Sequence, residues 1–130
     1  MDLSKFKTDG KLSQDGVTVD LGDNSTVTVA RAGNEKFNKS LRAVAKKFGH
    51  SFKSLGDEKL ERVVMECYVG TVLLNWSGFK KDGQDLPFSK DAAVELMLDK
   101  EYVDLRTLIE NLANEPETFR REQIEAVVGE

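Results

Sequence analysis

Leu60-Glu61-Arg62-Val63-Val64-Met65-Glu66-Cys67-Tyr68-Val69-Gly70-Thr71-Val72-Leu73-Leu74-Asn75-Trp76 contains the longest apolar run of the chain, and the architecture turns on what it forms. At a helical period, Leu60, Val63, Val64, Cys67, Thr71 and Leu74 make one stripe. Met65, Tyr68, Val69, Val72, Leu73 and Trp76 make a second. A helix apolar nearly all round belongs at the centre of a protein, covered on several sides. Asp57 is a good cap for its start, so the spacing predicts a central helix from Asp57 towards Trp76. Gly70 costs a helix interior about 1 kcal/mol relative to alanine, and close approach of a neighbouring helix is the expected reason for it. The apolar run from Val63 to Trp76 is shorter than the roughly 20 residues of a membrane-spanning helix.

Upstream, Asn34 reads as an N-cap, with Phe37, Leu41, Val44 and Phe48 on one helical stripe. Lys36, Lys39, Arg42, Lys46 and Lys47 fall on the other side, and Gly49 ends the helix. Earlier still, Val17, Val19 and Leu21 alternate with Thr18 and Asp20. The turn formers Gly22-Asp23-Asn24-Ser25 follow, and Thr26-Val27-Thr28-Val29 resumes the alternation. That pattern predicts a β-hairpin, which is marginal alone and needs helices or a partner to pack on.

Downstream, Ser77 to Phe88 carries Gly78, Gly83 and Pro87 and reads as an exposed loop. Ser89 caps a short helix through Leu98, with Asp91 in its first turn and Lys100 near its end. A further helix has Tyr102, Leu105, Leu108, Ile109 and Leu112 on one face, interrupted by Asn114 and Pro116. The remainder, through Phe119, Ile124 and Val127, reads as a looser helical tail. The expected fold is mainly α, with four to five helices around the central apolar one and an N-terminal β-hairpin. A single domain covers 1–130: a hairpin region 1–33, a helical core 34–114 and a C-terminal tail 115–130.

Charge is unevenly placed. From Arg31 to Lys53 there are seven Lys or Arg against Glu35 alone, whereas Asp82 to Glu117 holds ten acids against Lys90, Lys100 and Arg106. The net charge is −4. Residues Met1 to Lys5 lack the apolar core of a secretory signal. Cys67 is the single cysteine, so no internal disulfide forms, and an apolar setting makes it a structural thiol. His50 is the single histidine, which leaves no Cys/His metal cluster and no partner motif for a general base. No phosphate-cradling glycine motif is present. The carboxylates read as a solvated acidic surface, and Glu66 is expected to reach the helix edge or pair with Arg62. The basic helix has charge for phosphates, but Phe37 and Phe48 lie on its core face and the rest of the chain is acidic. No enzyme, cofactor, metal, nucleic-acid or membrane function is expected.

Val72-Leu73-Leu74-Asn75-Trp76-Ser77-Gly78, then Asp82-Gly83, then Leu86-Pro87-Phe88-Ser89, resembles the central signature of the tail assembly chaperones of long-tailed, siphovirus-type bacteriophages. In that family an apolar helix ends in Trp-x-Gly. A charged Asp-Gly loop, a Leu-Pro-Phe/Tyr-Ser element and a short helix follow, here Ala92-Ala93-Val94-Glu95-Leu96-Met97. Lys36-Phe37-Asn38-Lys39-Ser40-Leu41-Arg42 is similar to the family's basic segment. Leu108 to Asn114 with Phe119-Arg120 is similar to its closing helix and final Phe-Arg pair. The likeness spans residues 34–121; Ser77 stands where an acid is expected, and the hairpin region has no counterpart.

The resemblance implies a protein that holds the tape measure protein and helps recruit tail tube subunits, in the cytoplasm of the infected host and outside the finished virion. A structural tail subunit of connector or terminator type, retained in the virion, is the alternative. Trp76, Phe79, Leu86 and Phe88 around the loop are candidate partner contacts, with Phe119 and Arg120; Phe79 and Phe119 are expected to be the exposed ones. Trp76 and Phe88 equally suit pinning the loop to the core. For self-association, the basic face of Lys36, Lys39, Arg42, Lys46 and Lys47 is expected to meet the acidic region of Asp91, Glu95 and Asp104 on the next copy, head to tail.

Overall fold

The computed structural model describes residues 1–120. A 3-10 turn at Leu3–Phe6 leads to α1 (Gly10–Asp15), whose cap Asp9 accepts from the Lys11 and Leu12 amides at 2.9 and 3.1 Å. The expected hairpin follows as β1 (Val17–Gly22) and β2 (Ser25–Val29), antiparallel with Val19 opposite Val27. Asp23 and Asn24 both take positive φ, the backbone of a two-residue turn whose twist matches its strands. Asn34 caps α2 (Glu35–Phe48) through a 2.9 Å bond from the Phe37 amide, and Gly49 terminates it.

The central apolar helix does not exist. Helix α3 (Asp57–Tyr68) stops well short of Trp76, and Leu73–Ser77 forms strand β3 instead. Gly70 turns the chain with φ +99, a conformation that an α-helix excludes and that side chains disfavour. The Val72 amide donates back to the Tyr68 carbonyl at 2.9 Å, and the Gly70 amide to the Leu73 carbonyl at 2.8 Å. Strand β3 pairs antiparallel with β2, Val27 opposite Trp76, giving the order β1-β2-β3. A two-stranded ribbon is marginal in water, so the open edge of β2 rewards a third strand. Over so short an apolar run, helical stripes and strand alternation look alike; long-range pairing decided between them.

The predicted exposed loop is also structured. Residues Lys80–Lys81 (β4) and Gln84–Asp85 (β5) pair as a small antiparallel ribbon. Beyond it, Ser89 caps α4 (Lys90–Leu98), accepting from the Ala92 amide at 3.1 Å. A 3-10 turn leads into α5 (Val103–Asn114), and a last one spans Pro116–Phe119. Ile124 and Val127 of the expected tail lie outside the described residues.

The fold is therefore a mixture of α and β, with five α-helices and two antiparallel sheets among the described residues. Its core lies between the sheet and helices α3, α4 and α5. Val27, Val29, Leu73 and Trp76 face Met65, Ala93, Met97, Ile109 and Ala113. The other sheet face is polar, where Thr18 bonds Thr28 at 2.8 Å and Thr26 bonds Ser77 at 2.6 Å. Arg62 pairs with Glu95 of α4 at 2.8 Å, not with Glu66 on its own helix.

Candidate functional site

The elements that follow Trp76 close into one unit around its ring. Gly78 turns the chain out of β3 with φ +74, and a Cβ there would overlap the Asn24 carbonyl. Asp82 and Gly83, both at positive φ, return it as a tight hairpin turn. The Leu86 amide then donates to the Phe79 carbonyl at 2.9 Å. Trp76 is almost fully buried, with its indole N–H donating to the Leu86 carbonyl at 2.8 Å. Phe79 stacks on it at 4.9 Å between centroids and Phe88 meets it edge-on at 5.0 Å. Such pairs add roughly 0.5–1.5 kcal/mol each beyond the area they bury. Phe79, Leu86 and Phe88 are half-buried, so each keeps a surface.

One side of this unit forms the wall of an open, largely apolar groove of about 320 Å³. Phe79 and Leu86 stand on the hairpin side, Leu21 on β1, and Tyr102, Leu105 and Leu108 on the helical side. The Lys81 ammonium sits 5.3 Å from the Tyr102 ring centroid and 3.7 Å from Asp99 Oδ2. That pairing fixes the ribbon against the helices. The sequence placed Leu108 on a core face, but it is 43% exposed at this groove. The participation of Leu21, Tyr102, Leu105 and Leu108 was not legible locally, because it depends on where the ribbon lands.

Phe119 is not a surface residue. It is fully buried, its carbonyl accepts from the Asp9 amide at 3.1 Å, and the Arg31 guanidinium lies 5.7 Å from its ring centroid. These contacts make it a core anchor holding the N-terminal segment. Arg120 forms an ion pair with Glu117. The α2 residues Lys36, Lys39, Arg42, Lys46 and Lys47 are all exposed, far along the chain from the aromatic unit. Asp91 and Asp104 are exposed too, whereas Glu95 is engaged by Arg62, whose hydrogen bond and charge hold its carboxyl below the usual range.

Among the described residues, no group of three or more His, Cys, Asp or Glu is placed to hold a metal ion, and Cys67 is buried. Burial pushes the Tyr68 hydroxyl far above its usual range, with Glu110 adding to the shift and Arg106 opposing it. No helix among the described residues is long and apolar enough to cross a membrane.

Comparison with known protein families places the chain among phage-derived proteins. The chain belongs to the YdaY prophage protein family, whose model matches residues 32–130. The match begins after β2, so both strands of the first hairpin lie outside it. No curated protein and no solved structure matches the chain.

Proposed function

We propose that this protein is a tail assembly chaperone of a long-tailed bacteriophage, which binds the tape measure protein and helps recruit tail tube subunits. It is a binding protein and not an enzyme, acting in the cytoplasm of the infected host and leaving before the virion is complete. Its membership of a prophage family supports the phage setting.

The observation that carries the finer reading is the convergence on one ring. Trp76 and Gly78, the Asp82-Gly83 turn and Leu86-Pro87-Phe88 are the elements of the resemblance, and they fold together around the Trp76 indole. The product is a rigid ribbon beside an apolar groove. A long helical client that aggregates before the tube encloses it needs such a surface, which takes a helix by its apolar stripe. Phe79 and Leu86 offer contact area there while Trp76 stays structural.

Co-expression with the tape measure protein of the same phage genome tests the proposal. A client that is insoluble alone and co-purifies in soluble form supports it. A soluble, folded client that does not co-purify defeats it and directs the search to mature tails.

A further inference from the structure

We infer that the groove beside the aromatic ribbon selects a basic amphipathic helix, one whose apolar stripe is flanked by Lys or Arg, with Asp23 and Asp104 making the selection. The inference rests on the reading of that groove as the client site, and it names the chemistry of the segment taken there.

Apolar contact comes from the walls. Leu21, Phe79, Leu86, Tyr102 and Leu105 are half-buried along them, and Leu108 is exposed. A volume of about 320 Å³ admits a few side chains and not a whole helix. An occupant therefore lies across the mouth and inserts the side chains of one stripe.

The rim decides which helix fits. Asp23, in the turn of the β1–β2 hairpin, is part of the lining. Asp104 stands four residues before Leu108, one turn away on the same face of α5. Both are exposed, and neither makes an ion pair among the described residues. Glu101, exposed next to Tyr102, adds a carboxylate on that side and is equally without an ion pair among them.

Two cations line the groove, and both are answered. Asp99 holds Lys81 at 3.7 Å, and Asp85 stands opposite Lys80 in the β4–β5 ladder. The exposed cations of α2 line none of it. What remains at the rim is negative charge around an apolar floor. Apolar contact supplies affinity, while the carboxylates attract a cationic flank and repel an anionic one. The same sign disfavours nucleic acid and anionic lipid on this surface.

Two synthetic helices of about 18 residues, or about five turns, share one leucine stripe and differ in its flanks, Lys in one and Glu in the other. Each carries a fluorophore, and binding to the full chain is read by anisotropy. In about 0.1 M salt the Lys-flanked helix should bind at least about tenfold more tightly, and about 1 M salt should shrink that preference. D23N/D104N should lower the preference about fivefold, since asparagine tolerates the positive φ at position 23. D15N/E58Q removes as much charge from exposed acids outside the groove and should leave the preference unchanged. Leu108→Ala should weaken both helices. Circular dichroism confirms that each variant is folded.

The inference is overturned if neither helix binds, if both bind equally, or if D15N/E58Q lowers the preference as much as D23N/D104N does. Should the tape measure protein co-purify while the two helices are not discriminated, the inference fails and the client reading stands. Should the Lys-flanked helix win while the tape measure protein does not co-purify, the groove chemistry stands and the client is a different protein.

Discussion

The Trp76 indole N–H donates to the carbonyl of Leu86 at 2.8 Å, tying the end of β3 to the far side of the β4–β5 ribbon. Two chain segments separated by a ribbon and its turn thereby become one rigid piece. Replacing Trp76 by Phe keeps an aromatic ring beside Phe79 and Phe88 but removes the donor. The expected loss is about 1–3 kcal/mol, read by denaturant unfolding followed by circular dichroism. A variant as stable as the wild type would show that ring packing alone holds the ribbon.

Gly70 discriminates between the helix that periodicity suggested and the turn that forms. In a helix interior, Gly70→Ala would stabilise the protein by about 1 kcal/mol. At φ +99 it should instead destabilise by about 1–2 kcal/mol, although a Cβ there meets nothing within 4 Å. The sign of the change in unfolding midpoint settles the matter.

Phe119 should behave opposite to its expected exposure, whereas the half-buried Phe79 keeps a surface. Phe119→Ala empties a fully buried site and should cost about 3–5 kcal/mol. Phe79→Ala loses one half-buried stacking partner and should cost about 1–2 kcal/mol. If Phe79 also contacts the tape measure protein, its variant remains folded and fails to co-purify. Equal stability losses at the two positions would contradict the burial difference.

Acid should selectively weaken the Arg62–Glu95 pair. Its hydrogen bond and charge lower the Glu95 carboxyl from the ordinary value of 4.5. With the folded value below the unfolded one, the unfolded chain takes up the proton first as pH falls. The contribution is full above the ordinary value and disappears as pH drops through the lowered one. The melting-temperature gap between the wild type and Glu95→Gln should thus be small but steady near neutrality, then close below about pH 4.5. A gap that widens in acid would mean that Arg62 is not its cause.

What was legible in the sequence is what local chemistry decides. The first hairpin, the Asn34 cap with α2, and the Ser89 cap with α4 all follow from period and capping residues within a few positions. Strand β3 was not legible, because its five residues lie in an apolar run that a helix also accommodates. Only β2, distant in sequence, selects the strand. The loop candidates Trp76, Phe79, Leu86 and Phe88 do come together, whereas Phe119 is drawn inward by Asp9 and Arg31. Helix α1 escaped notice: its six residues begin with Gly10, which hides the Asp9 cap.

The pairing of Thr26 with Ser77 spans 51 residues, and this sets a schedule for synthesis. At about 5–20 residues per second, the β1–β2 ribbon leaves the ribosome roughly 3–10 s before β3 does. Helices form in well under a millisecond, so α2 and α3 can be complete while the ribbon still waits for its third strand. During that interval an unpaired strand edge is presented to whatever else is being made nearby. The nascent chain therefore presents the unpaired edge of β2 midway through its own translation, and the arrival of Leu73–Ser77 covers that edge.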